Sequence, residues 1–187
     1  MSGERQTRHF GETSHRARYE FASKSVRPHM QVLDVFCGNG YGSEIMAKRG
    51  AEVTAFDSFN SQKKRIGVTF IQATFPKVDL PPRYYDVAIC FEAIEHVPYR
   101  MAFELVRSIR FWLKDTGTLW LSTPNDDFLK YDKVRYPYHH QHFTYPRLKE
   151  LLFQTGFDHI EWFNQERKGT REFRPGPTGA YMVVKCR

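Results

Sequence analysis

At 187 residues, with 41% hydrophobic and 16% aromatic side chains, the chain is long enough to bury one sizeable core and too short for two ordinary domains. No stretch approaches the roughly 18 consecutive apolar residues of a spanning helix, and the start, Met1-Ser2-Gly3-Glu4-Arg5, has no apolar signal core; a single cytoplasmic domain over 1–187 without membrane contact is expected. The net charge of +7 gathers in the first 30 positions, at Lys63-Lys64-Arg65 and from Arg167 to Arg174, which permits an anionic partner such as RNA and equally describes a solvated basic surface.

The first strand expected is 31–36 (QVLDVF), which runs through Cys37-Gly38-Asn39-Gly40 into a helical pattern over 41–48 closed by Gly50. Two further β-branched runs follow at 52–57 and 67–72. The ten residues 58–67 between them leave room for about two helical turns. After a Pro-rich link, 76–82, the nearly continuous apolar run 85–91 reads as a strand covered on both faces.

Residues 100–113 carry Met101, Leu105, Ile109 and Trp112 near helical spacing; Asp115-Thr116-Gly117 then predicts a break before a strand at 118–122. The segment 123–145, rich in Pro, Asp, Tyr and His, has no period and is expected to be a long, substrate-selecting loop. A helix at 146–154 stopped by Gly156 and strands at 157–163 and 180–185, separated by a Gly/Pro-rich connector, complete the chain. Strands alternating with helices and a closing antiparallel hairpin predict an α/β three-layer sandwich, its sheet mainly parallel with one antiparallel strand near the C-terminus. Cys37, Cys90 and Cys186 are widely spaced, two of them in apolar runs, so neither a disulfide framework nor a zinc site is expected.

In an open α/β sheet a ligand binds beyond the carboxyl ends of the strands, where the first glycine turn is the usual contact surface, and Gly38 and Gly40 lie at that position. Glycine there admits positive φ and lets backbone approach a ligand, although a purely structural tight turn would use it too. A dinucleotide fingerprint would require glycine where Ser43 stands, and Asp34, four residues before Gly38, also points elsewhere.

The run Val32-Leu33-Asp34-Val35-Phe36-Cys37-Gly38-Asn39-Gly40 resembles the first motif of class I, Rossmann-like S-adenosylmethionine-dependent methyltransferases. The resemblance continues through Asp57, through Phe91-Glu92-Ala93-Ile94-Glu95-His96-Val97 and through Leu121-Ser122-Thr123-Pro124-Asn125. It also takes in an entry helix at 15–22 within an N-terminal arm and helix, 1–28, and a late helix before Gly156-Phe157, so that it covers roughly residues 15 to 165.

That resemblance implies S-adenosylmethionine as cofactor, with Gly38 and Gly40 around its methionine and ribose and Asp57 accepting from both ribose hydroxyls; the structural alternative for Asp57 is a helix cap or turn acid. It implies further cofactor contacts from Asp34 and Phe91, from Thr74 and the backbone of Phe75 beside adenine, and from Arg18 and Tyr19 at the carboxylate end, where ordinary helix surface is the alternative. Phe36 stands where the family usually has a small residue and Thr74 where it commonly has an acid.

Methyl transfer from a sulfonium is an in-line displacement, so the protein must align the acceptor, exclude water and take a proton where the acceptor carries one. Glu92, Glu95 and His96 fall just beyond the fourth strand, and His96 is the expected base, with Glu92 and His142 nearest the acceptor. The Glu-x-x-Glu-His spacing, joined by His140 and His142, also resembles metal-assisted RNA 2′-O-methyltransferases; similar stretches occur in small-molecule members without a metal, and none is assigned. For His139, His140 and His142, hydrogen bonding within a polar loop is the alternative to a base.

The expected function is therefore methyl transfer to an oxygen or nitrogen of a small polar acceptor. The alternatives are RNA 2′-O-methylation, or a degenerate cofactor-binding scaffold, to which Phe36, Thr74 and the short 58–67 crossover point.

Overall fold

The computed structural model describes residues 9–59, 65–166 and 169–187. Helix α1 (His9–Ala22) precedes strand β1 (Gln31–Val35), helix α2 (Tyr41–Ala47) and strands β2 (Glu52–Asp57) and β3 (Val68–Gln72). Strand β4 (Tyr85–Phe91), helix α3 (Tyr99–Trp112) and strand β5 (Leu113–Pro124) form the middle of the chain. Helix α4 (Tyr145–Gln154) and strands β6 (Ile160–Gln165), β7 (Arg174–Pro175) and β8 (Tyr181–Cys186) close it.

All eight strands join one sheet in the order β3-β2-β1-β4-β5-β8-β6-β7. Strands β1 to β5 pair in parallel, β8 lies antiparallel between β5 and β6, and the two-residue β7 pairs antiparallel with β6. The predicted sandwich with a reversed strand near its end is thus the observed fold. Strand order reverses between β1 and β4, which opens a crevice at the carboxyl ends of those two strands.

Each face of the sheet is covered by helices whose apolar positions recur at helical spacing. In α3, Ala102, Leu105, Val106, Ile109 and Trp112 turn inward, and with Leu148, Leu151 and Leu152 of α4 they pack on Leu33, Ala88, Leu119 and Val184 of the strands. On the opposite face Tyr19 and Ala22 of α1 and Met46 of α2 pack on Val32, Val53, Ile89 and Val183. No helix among the described residues is long and apolar enough to cross a membrane.

Two sequence expectations change. The break predicted at Asp115-Thr116-Gly117 lies inside β5, which starts at Leu113 because Leu113 pairs with Tyr85; the irregularity appears instead as a register shift between Tyr85 and Val87. The connector before β8 contains β7, held because the Asn164 side-chain amide donates to the carbonyls of Arg174 and Gly176 at 3.2 and 2.9 Å. Residues 60–64 of the short crossover, with Lys63 and Lys64, lie outside the described residues, as do residues 1–8 of the arm and Arg167 and Lys168.

Helix α1 is fastened across the sheet through its contact with α2. A Cβ on Gly42 would lie 2.2 Å from the Tyr19 ring, so only glycine admits the ring that also meets Phe91 edge-on at 5.1 Å. Gly42→Ala is expected to cost about 1–3 kcal/mol of unfolding free energy by displacing Tyr19. Chemical denaturation measures this, and a variant within about 0.5 kcal/mol of the parent would contradict the close approach.

Candidate active site

The chain leaves β1 through Phe36 and reaches Gly38 and Gly40, all three at positive φ, before α2 starts. A Cβ on Gly38 would meet nothing within 4 Å, so the turn faces open space and not packed core. Phe36 fills the space on its inner side, edge-on to Phe56 at 5.7 Å. A non-glycine residue held in the left-handed region is a local strain, and here it aims the turn over the crevice.

Asp57, at the end of β2, is 8% exposed. Its Oδ2 accepts the Gly38 amide at 2.9 Å and its Oδ1 the Phe59 amide at 2.9 Å, tying the two turns at the crevice together. A third, long contact comes from Ser58 Oγ to Oδ1 at 3.4 Å, so of about four lone-pair sites one stays free and a second opens when that hydroxyl turns away. The turn-acid and ligand readings of Asp57 are therefore compatible in one geometry. Phe75 is buried beyond β3, whereas Thr74 is exposed and its carbonyl accepts the Lys77 amide at 2.7 Å.

Asp34 lies beneath the turn, fully buried, accepting Tyr19 Oη at 3.0 Å and Ser43 Oγ at 2.6 Å. It braces the turn against α1 and α2 from within. Burial pushes its carboxyl up to about 7, the two hydroxyl donors working against that rise. A native acid that keeps its proton above the unfolded value of 3.8 costs stability as pH rises, from about pH 4 to about pH 7, and by a constant amount above. Asp34→Asn is expected to gain on the parent in denaturation midpoint between pH 4.5 and 7.5; a constant difference across that range would contradict the burial effect.

Glu92 follows β4 at φ 50. Its Oε1 takes both Arg18 Nη1 at 2.7 Å and Ser122 Oγ at 2.9 Å. The short 3-10 turn Ile94–His96 then sends Glu95 inward and leaves His96 partly exposed. Glu95 Oε2 accepts Thr123 Oγ1 at 3.0 Å, while Oε1 is buried without a hydrogen-bond partner among the described residues. Burial first, and then the Glu92 charge, push the Glu95 carboxyl well above the usual carboxylate range.

The long loop folds back onto this turn. The His140 amide donates to the Glu95 carbonyl at 2.8 Å, and His96 Nδ1 lies 3.0 Å from the Tyr138 carbonyl. The rings of His96 and His139 meet edge-on at 4.6 Å. His142 is buried, with Nδ1 2.5 Å from the Leu129 carbonyl and Nε2 2.8 Å from His139 Nδ1, so it stands behind His139. Among the described residues, Glu95, His96 and His139 bring one ligand atom each within 4.8 Å of one another, whereas the sequence pattern had grouped Glu92, Glu95 and His96 with His140 and His142.

Arg18 and Tyr19, paired in the sequence as cofactor contacts, point to different places. Tyr19 meets Asp34, whereas Arg18, 1% exposed, reaches Glu92, Ser122 and Gln165. Phe91 packs against Tyr19 beside the crevice. Sequence reading did not single out Gln165 or Tyr181, because the strands that carry them converge on α1 from about 150 residues away; it named Glu95 and His139 without separating them from their neighbours.

The turn, Asp57 and the acid-histidine segment thus ring one crevice at the strand ends, an arrangement that fits a ribose diol on Asp57 and an acceptor beside Glu92. A family model described as a methyltransferase domain matches residues 7–161. Ubiquinone biosynthesis O-methyltransferases of Xanthomonas campestris and Proteus mirabilis are 36% and 41% identical over 114 and 106 residues, or 56% and 51% of this chain and 47% and 42% of theirs. The chain spans about half the length of the curated relatives it matches.

In fold, it is similar to an S-adenosylmethionine-dependent methyltransferase of Thermotoga maritima, with TM-score 0.73 and 16% identity over 95% of this chain and 90% of that one. A Burkholderia thailandensis 1,6-didemethyltoxoflavin N1-methyltransferase, solved with its substrate and S-adenosylhomocysteine, gives TM-score 0.65 and 19% identity over 95% and 78%. With the model matched over most of its length, the chain belongs to the class I, Rossmann-like family of S-adenosylmethionine-dependent methyltransferases.

Proposed function

We propose that this protein transfers the methyl group of S-adenosylmethionine to a hydroxyl oxygen of a small polar acceptor. The observation that carries the reading is the convergence of the open glycine turn, Asp57 and the segment from Glu92 to His96 on one crevice at the switch point of the sheet. The O-methyltransferase names of the relatives in Xanthomonas and Proteus support oxygen over nitrogen.

The bound cofactor supplies an electrophilic methyl group. Gly38 and Gly40 would lie against its methionine and ribose, Asp57 would accept the ribose hydroxyls, and Phe75 and Phe91 would add apolar contact. Glu92 Oε2 is left for the acceptor hydroxyl, because both donors on that carboxylate fall on Oε1. His96, partly exposed beside it, takes the hydroxyl proton as the oxygen attacks; imidazole is the side chain whose ordinary range brackets neutrality. The aromatic and histidine-rich loop over 125–144 excludes water and selects the acceptor. His142 acts at one remove, by orienting His139.

Incubation with labelled S-adenosylmethionine and a panel of phenols and catechols tests this, with 3,4-dihydroxybenzoate as the first probe. Label transferred to a hydroxyl oxygen supports the reading. Transfer to none of the panel, with S-adenosylhomocysteine bound normally, would contradict it.

The grouping of Glu95, His96 and His139 favours a second reading, in which a divalent cation there polarises the acceptor hydroxyl, as in metal-assisted 2′-O-methylation of RNA. Two imidazoles with a carboxylate suit such an ion chemically, and the unpartnered Glu95 Oε1 is a donor atom in need of one. Loss of turnover with chelator, restored by Mg²⁺ or Mn²⁺, would decide for it, and turnover unaffected by chelator against it.

A further inference from the structure

We infer that Arg18 is a positioning residue for Glu92 and not a ligand of the cofactor's carboxylate, an inference that rests on the proposed hydroxyl acceptor for what Glu92 then does. A guanidinium meant for a ligand should present unengaged nitrogens to a cavity. Arg18 has two of its three nitrogens, Nε and Nη1, engaged inside the protein, and Nη2 has no hydrogen-bond partner among the described residues. Its side chain is 2% exposed, its Nε donates to Gln165 Oε1 at 2.6 Å, and its Nη1 meets Ser122 Oγ at 3.3 Å and Glu92 Oε1 at 2.7 Å. The Tyr181 ring covers the guanidinium face, 4.4 Å from its central carbon. Contacts from β5, β6, β8 and the residue after β4 therefore fix one planar group in one orientation.

The consequence lies at Glu92. A carboxylate on a residue at φ 50, 21% exposed at the mouth of a crevice, would otherwise rotate freely. Arg18 and Ser122 both seize Oε1, which leaves the other oxygen, Oε2, without a protein donor among the described residues and available to an acceptor hydroxyl. The fork geometry of arginine matters here: Nε is committed to Gln165 while Nη1 reaches Glu92, and a lysine ammonium cannot hold both directions at once. Gln165 in turn is fixed by its own Nε2, which donates to the carbonyls of Ser14 and Thr170 at 3.3 and 3.0 Å. The strut therefore ties the carboxylate to α1 and to the C-terminal strands.

The experiment compares the full chain with Arg18→Lys, Arg18→Met and Glu92→Gln, each first checked for a cooperative thermal transition. Calorimetric titration with S-adenosylhomocysteine reads the cofactor site. ¹³C NMR of the glutamate side-chain carboxyls, with the Glu92 line assigned by its loss in Glu92→Gln, reads the strut without needing an acceptor. Expected are affinities for S-adenosylhomocysteine within about threefold of the parent in all three variants. The Glu92 line, sharp in the parent, should be shifted or broadened in Arg18→Met and partly recovered in Arg18→Lys.

With 3,4-dihydroxybenzoate, kcat should fall at least tenfold in Arg18→Met and less in Arg18→Lys, with the KM for S-adenosylmethionine unchanged. An affinity loss of tenfold or more in Arg18→Met alone would overturn the inference and return Arg18 to the cofactor. An unmoved Glu92 line would overturn it independently. Should the parent turn over no acceptor, the proposed function fails, and the binding and NMR readings still decide the role of Arg18.

Discussion

Asp57→Ala is expected to weaken S-adenosylhomocysteine binding by 100-fold or more. Two hydroxyl donors on one carboxylate are worth about 1.5–3 kcal/mol each, and about 3 kcal/mol already corresponds to a little over two decades in affinity. The same carboxylate joins the Gly38 and Phe59 amides, so the variant also frees the turn that faces the cofactor. Asp57→Asn separates the two effects: it keeps one oxygen as acceptor and is expected to lose about tenfold. Isothermal titration of both variants measures the difference. Equal affinities for parent and Asp57→Ala would remove the ribose from this position.

Replacement of His96 by Asn should lower turnover by about 10²–10³-fold, the ordinary worth of a positioned base, while leaving S-adenosylhomocysteine affinity unchanged. Its Nδ1 lies 3.0 Å from the Tyr138 carbonyl, an acceptor that orients the ring. His142→Asn is expected to fall much less, because His142 reaches the site through His139. Steady-state rates with the best acceptor of the panel give both numbers, and equal losses at the two positions would contradict the assignment of the base.

Most of the fold could be read from the sequence, because parallel strands buried on both faces leave near-continuous apolar runs. Residues 85–91 show such a run and 52–57 a β-branched one, and their bounds are those of β4 and β2. Legibility failed where tertiary pairing overrides local signals. Asp115 and Gly117 read as a break, yet the pairing of Leu113 with Tyr85 draws them into β5, and two residues of β7 are too few to leave any period.

The site was legible along single segments and illegible across them. Gly38, Gly40 and Asp57 stand out by spacing from one another, and the structure joins Gly38 to Asp57 at 2.9 Å. The partner of Arg18 was not readable, since helical spacing says which residues share a face and nothing about which strand end a buried guanidinium meets. In the loop, the sequence could not rank His139, His140 and His142. The ranking comes from the Tyr138 carbonyl beside His96 and from the contact that puts His142 behind His139.

The cofactor is expected in the crevice between the β1 turn and the end of β4, facing Glu92. A crystal structure of the protein grown with S-adenosylhomocysteine tests it most directly. The ribose hydroxyls are expected on the Asp57 carboxylate, the Gly38–Gly40 backbone against the ligand, and the sulfur on the Glu92 side of the crevice. Density for the ligand elsewhere, or a crevice that stays empty at millimolar S-adenosylhomocysteine, would contradict it.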